Sequence, residues 1–212
     1  MDGSSSSKWK FVGGRLCLDF INTVDGRIEK REKNSFVFGI TKDKFSGYDD
    51  FVDWALNIGI LKNSGAKQLI NIYVENEKNA KKILDRAVKL REAVFRIFRF
   101  IIEGWDPPET DIEILNSECK AAREKQTLLY RTNKFEWDFE ANGNELDSII
   151  WPVALSGAEL LISGPLDRIR QCAGENCGWL FLDTSKNRSR QWCDMKDCGN
   201  LAKVRRYREK QK

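Results

Sequence analysis

The chain has 212 residues, 41% hydrophobic and 32% charged, with 36 Lys+Arg against 32 Asp+Glu. That length can bury one large core or two small ones, and the balance is globular rather than disordered. Histidine is absent, which excludes Ser-His-Asp and Cys-His catalysis, HExxH zinc sites and His-ligated iron, and no apolar run reaches about 18 residues, which excludes a transmembrane helix.

Residues 1–10 include four serines and no basic-then-apolar leader. They read as a flexible tail and not as a secretory signal, so a cytoplasmic location with reduced thiols is expected. Gly13-Gly14 marks a turn, after which Leu16, Cys17, Phe20 and Ile21 fall near helical spacing. Residues 25–47 are charged, with a short strand expected over Phe36 to Ile40. A helix is expected from about Asp49, with Phe51, Trp54, Ala55 and Ile58 on its apolar face and Gly59 as its stop. The longest helical pattern runs from about Glu77 to Glu103. It has a wide apolar stripe from Ile83 to Ile102 and ends at Gly104 and Pro107-Pro108.

Ile112, Leu115, Cys119 and Ala122 predict the next helix. Leu128 to Tyr130 and Phe135 to Phe139 predict a hairpin about Thr132-Asn133. A last helix of this region is expected over about Glu145 to Ile162. There Pro152 either kinks the helix or belongs to the first turn of one that starts later. Trp54, Trp105, Trp137 and Trp151 are read as core residues, and Cys17 and Cys119 as buried free thiols. Gly164-Pro165 is the expected boundary, so residues 11–164 form a mainly helical domain with a small β-hairpin and residues 165–212 a second module.

That second module has under 50 residues, too few to hold itself together by apolar burial alone. It carries 12 Lys+Arg and 6 Asp+Glu, net +6, against net −2 for residues 1–164. It also holds four of the six cysteines, spaced Cys172-AGEN-Cys177, fifteen residues, Cys193-DMKD-Cys198. Two equally spaced pairs with a hairpin-length insert suit a tetrahedral four-thiolate zinc site. Disulfides are the alternative, and an intracellular setting disfavours them. Four cysteine ligands leave no open position for water, so one structural, non-catalytic zinc is expected. Trp179, Phe181 and Trp192 are expected to pack around the hairpin between the pairs.

After Cys198 the chain reads GNLAKVRRYREKQK. A helix from about Gly199 would present Lys203, Arg205, Arg206 and Arg208, with Arg188 and Arg190 of the hairpin adding to a basic patch. Arginine offers the fork geometry that suits phosphate or a guanine edge. In the first domain, Arg15, Asp19 and Asn22 sit as polar groups in an apolar stretch. They read either as a small-ligand pocket or as an internal network with Asp19 paired to Arg15 one turn away.

Arg170-Gln-Cys172, the run Cys177 to Asp183, Ser185 to Arg190, Trp192-Cys193 and Cys198-Gly-Asn200 resemble the CGNR zinc finger family. GGRLCLDFINT over residues 13–23 resembles the opening of the ABATE domain, which is described as a stress-induced transcription regulator. The arginine that closes the family's Cys-Gly-Asn-Arg signature is Leu201 in this chain. The resemblance implies a bacterial, cytoplasmic DNA-binding regulator whose helical domain senses a small-molecule effector or forms a homodimer. Its architecture would be mainly α (α+β) with a treble-clef-like four-cysteine finger. Partners would be DNA and an effector, with no membrane. An adaptor whose finger contacts protein or RNA is the second reading. An enzyme built on the first domain is the third, and no nucleophile–base pair or phosphate loop supports it.

Overall fold

Helices dominate the computed structural model, which describes residues 8–33, 35–139 and 144–211. Among the described residues the sheet content is confined to three two-stranded sheets. No described helix is long and apolar enough to cross a membrane. The chain divides into two compact units. One runs from Phe45 to Ile169, and the other joins the segment that ends at Lys44 to the segment that begins at Arg170. Gly164-Pro165 lies just before the second crossing; the first, at Lys44-Phe45, lies inside the charged stretch over residues 25–47.

In the discontinuous unit, α1 (Leu16–Ile21) is followed by the antiparallel pair β1 (Arg27–Glu32) and β2 (Ser35–Ile40). The C-terminal part supplies β5 (Ile169–Gln171), β6 (Leu180–Leu182), a π-turn over Met195–Gly199 and α7 (Asn200–Glu209). The strand expected over Phe36 to Ile40 is β2. Its partner Arg-Ile-Glu-Lys-Arg-Glu shows no apolar alternation, because only Arg27 of β1 is buried. Of the tail expected over residues 1–10, residues 1–7 lie outside the described residues. Trp9 is buried, and Lys10 forms an ion pair with Asp197.

The continuous unit holds α2 (Tyr48–Asn57), α3 (Asn63–Glu75), α4 (Glu77–Ile102), α5 (Glu109–Glu124), β3 (Gln126–Arg131), β4 (Lys134–Phe139) and α6 (Ile150–Ser163). α4 spans about 39 Å at 1.5 Å per residue and packs against α5, with α6 against α5. Ala80, Ala87, Leu90, Val94, Phe95 and Phe98 line its buried stripe. The Asn76 side chain caps its first turn by accepting from the Asn79 N–H at 3.3 Å. Buried Asp111 accepts both Nε and Nη2 of Arg96 at the start of α5. Arg86 of α4 forks onto Glu118 and also reaches Asp147. Pro152 is the third residue of α6, in the first turn, where it displaces no helical hydrogen bond.

β3 and β4 pair across a tight turn in which Thr132 (φ 48°) and Asn133 (φ 61°) are both left-handed. Trp54 and Trp151 are fully buried and Trp105 half-buried, but Trp137 is 65% exposed. This corrects the core reading of Trp137. It pairs with Leu128 on a hairpin face that no other strand covers, and Tyr130 and Phe135 stand exposed beside it. Cys17 and Cys119 are buried and in no disulfide, with the Cys119 thiol 3.4 Å from the Ala154 carbonyl. Burial pushes the Cys119 thiol above its ordinary pKa, which leaves it unreactive.

Candidate metal centre and nucleic-acid interface

The two cysteine pairs converge. The Sγ atoms of Cys172, Cys177, Cys193 and Cys198 all lie within 4.8 Å of one another, with Cys177 to Cys193 at 3.5 Å and Cys193 to Cys198 at 3.6 Å. A tetrahedron of sulfurs about 2.3 Å from zinc has edges of about 3.8 Å, and none of the six cysteines is in a disulfide. The surroundings favour thiolate. Cys172 Sγ accepts the N–H groups of Gly174 at 3.4 Å and Cys193 at 3.3 Å. A Cβ on Gly174 would stand 3.1 Å from Cys198 Sγ, so a larger residue would press on the sulfur and glycine lets this turn pass closely over the site.

Electrostatics agree with the geometry. Hydrogen bonds from Cys177 and Cys193 push Cys172 well below the ordinary thiol range, and the same contacts raise Cys177 and Cys193. Burial raises Cys198. Four sulfurs this close cannot all ionise by themselves; a divalent cation resolves the conflict. The donor set fits one zinc ion, held by these four residues, and the ion supplies folding energy and charge neutralisation.

The module does not enclose its own core. Cys172, Trp179, Phe181 and Cys193 bury together with Val24 from the N-terminal segment, and Val12 and Ile40 pack against the same cluster. The polar groups of GGRLCLDFINT complete the contact. Asn22 donates its Nδ2 to the Leu180 carbonyl at 2.8 Å and accepts the Leu180 N–H at 3.1 Å. Its amide thereby acts as a neighbouring strand for β6. The Gly13 carbonyl takes the Leu182 N–H at 2.8 Å, the Val24 carbonyl takes Trp179 Nε1 at 2.9 Å, and the Cys177 carbonyl takes the Arg27 N–H at 3.0 Å. Gly178 makes that last approach possible: its φ is +64° and an added Cβ would meet Arg27 Cβ at 2.9 Å.

Of the three residues read as either a ligand pocket or an internal network, Asn22 is thus bonded to the finger, and Arg15 is exposed with its guanidinium on the Gly14 carbonyl at 3.0 Å. Asp19 does not pair with Arg15, because Arg15 is the N-cap of α1 and leaves the helix. Its carboxylate instead accepts the Gly13 N–H at 2.8 Å. Burial raises Asp19 from an ordinary 3.8 to about 6, against the opposing pull of the Gly13 and Val12 N–H groups and the Arg190 charge. Folding therefore favours the protonated acid. That stabilisation is complete below about pH 4 and is lost as pH rises through about 6, leaving a cost of about 3 kcal/mol at neutral pH. Asp19→Asn keeps an oxygen for Gly13 and removes the charge. Its stability relative to wild type is expected to rise by about 3 kcal/mol between pH 4 and pH 7 in urea titrations. A pH-independent difference would overturn this account of Asp19.

The six cations expected to meet nucleic acid separate into two groups. Arg190 is enclosed by protein: its guanidinium donates to the carbonyls of Val12 (3.0 Å), Leu182 (3.4 Å), Trp192 (3.0 Å) and Cys193, and it lies 4.2 Å over the Phe181 ring. Asp183 holds the loop that carries it, accepting Ser185 N–H at 2.8 Å and Arg190 N–H at 3.1 Å. Arg188 is exposed in a left-handed turn (φ 51°). Lys203, Arg205, Arg206 and Arg208 are exposed on α7, none of whose residues is buried. Arg205 forks onto Glu175 of the first cysteine turn, a contact that ties α7 to the zinc site and raises the arginine further above its already high pKa. The roles of Val24 and Arg27 were not visible in the sequence, because each acts through a partner about 150 residues away in the chain; that of Asp183 was missed although its partners, Ser185 and Arg190, are close by.

Two family models cover nearly all of the chain. Residues 14–164 match ABATE, described as putative stress-induced transcription regulator, and residues 168–211 match the CGNR zinc finger. No curated protein matches the sequence.

Proposed function

We propose that this chain, which belongs to the ABATE family of stress-induced transcription regulators and ends in a CGNR zinc finger, regulates transcription by binding DNA through a zinc-ordered basic helix. The observation that carries this reading is α7. It is a ten-residue cationic helix with no buried residue, anchored to a four-cysteine centre by the turn that precedes it and by Arg205–Glu175. A helix that contributes nothing to a core yet is held in place is suited to a partner, and its charge selects a polyanion. Lys203, Arg206, Arg208 and Lys210 are the phosphate contacts, with Arg188 beside them. Arg190 serves by shaping the finger, and Asp19 and Asn22 by fixing the N-terminal motif to it. The helical unit from Phe45 to Ile169 is the site of effector sensing or dimerisation.

The test is an electrophoretic shift of duplex DNA by the zinc-loaded chain. Four to five phosphate contacts predict that log K falls with log salt at a slope of about −4. Deleting residues 200–212 is expected to abolish the shift. Binding that is independent of salt, or that survives the deletion, would reject the reading. Retained affinity for single-stranded RNA with none for duplex DNA would favour the adaptor instead.

A further inference from the structure

At 100° per residue along a helix, Leu201, Val204 and Tyr207 share an arc of about 120°, with the exposed Arg208 between the first two of them one heptad further along. They are 71%, 48% and 65% exposed, and none belongs to the finger's core cluster. The arc turned toward the finger carries half-buried Ala202 and Arg205 with its Glu175 partner. Lys203, Arg206 and Lys210 fill the remaining sector. A basic helix with an unpartnered apolar stripe needs an occupant that is anionic and yet offers apolar groups. A second copy of α7 would bring like charges together, at a cost of several kcal/mol where they face one another. Phosphates alone would account for the cations and leave the stripe in water. In the DNA major groove both needs meet, because thymine presents a C5-methyl group between two phosphate walls. A helix about 10–12 Å across with its side chains fits a groove about 12 Å wide. RNA lacks both features: its major groove is too narrow for side chains to read, and uracil carries no methyl.

We propose that α7 enters the major groove of DNA and that Leu201 and Val204 read thymine C5-methyl groups, while Lys203, Arg206, Arg208 and Lys210 take the phosphates. This rests on the DNA-binding reading above and adds to it a base preference and the residues that set it. It also gives Leu201 a role. Where the CGNR signature carries a fork that could address guanine O6 and N7, this chain carries an isobutyl group shaped for a methyl.

The experiment is selection of bound duplexes from random DNA by the full-length, zinc-loaded chain. The selected site is then resynthesised with deoxyuridine in place of single thymines, a change that removes one methyl group and no hydrogen-bonding atom. Enrichment of thymine is expected, with about a fourfold affinity loss per methyl removed at the read positions, the equivalent of one buried methyl. Leu201→Ala should bind the thymine and uracil duplexes equally at one position, and Val204→Ala at another. Leu201→Arg should move the preference at the first position from thymine to guanine. Both residues are exposed, so unchanged zinc content and circular dichroism will show that the variants fold. Tight, salt-dependent DNA binding with no thymine enrichment, or with uracil tolerated throughout, would overturn this inference and leave the DNA-binding reading standing. Failure of the zinc-loaded chain to bind any duplex would remove both.

Discussion

Removing zinc with a chelator is expected to unfold the finger and the N-terminal motif together while the unit from Phe45 to Ile169 stays folded. The finger's sulfurs repel one another as anions and leave little else to hold Cys172 to Cys198 in place. In zinc-finger peptides the metal contributes about 10–16 kcal/mol of apparent binding energy, far more than the few kcal/mol that a core this size supplies. Val12, Val24 and Ile40 bury against the cysteine cluster, so they lose their partners when it opens. Amide hydrogen exchange reads this directly. The Leu180 and Leu182 N–H groups, which bond to Asn22 and to the Gly13 carbonyl, should lose protection on chelation, as should the Arg27 N–H. Amides in the middle of α4 should keep it. Cys193→Ser should reproduce the pattern without chelator. Protected β6 amides in zinc-free, reduced protein would show that the fold does not depend on the metal.

Replacing Arg190 by alanine is expected to lower stability by about 3–4 kcal/mol, the scale of losing two charge-assisted hydrogen bonds together with a cation–π contact. Four carbonyls now served by one guanidinium would be left to find water or go without. Arg190→Lys should recover less than half of the loss, because an ammonium cannot reproduce the fork or the stacking on Phe181. Thermal or urea denaturation of the zinc-loaded protein measures this. If Arg190→Ala unfolds like wild type and loses only DNA affinity, Arg190 belongs with the phosphate contacts.

The metal site was legible in the sequence because its information is local. Spacing alone puts two sulfurs at each end of a hairpin, and the glycine at 174 stands where the turn must pass over them. Long amphipathic helices such as α4 were legible for the same reason, since their period repeats within a few residues. What escaped was relational. β1 reads as a charged loop because it becomes a strand only by pairing with β2. α3 escaped because only Ala66 and Leu69 of its thirteen residues are buried, too few to mark a helical face. Asn22 read as a candidate ligand group because a polar side chain in an apolar run looks the same whether it meets an effector or the edge of β6. Arg190 read as one more cation because nothing nearby in sequence announces carbonyls from residues 12 and 182. Trp137 read as core because period-2 apolar pairs usually have a sheet or helix above them, and this hairpin has an open face.

Asn22 leaves the ribosome 158 residues before its hydrogen-bonding partner Leu180, and Gly13 precedes Leu182 by a similar stretch. At about 5–20 residues per second the opening motif waits roughly ten seconds or longer for them. Meanwhile the helical unit between them has everything it needs to settle. Birth order thus puts metal capture after the helices of the intervening unit. A product truncated before Cys172 would keep the helices of that unit but leave the Asn22 amide without Leu180 and the Val12 and Val24 side chains without their cluster, a surface open to proteolysis.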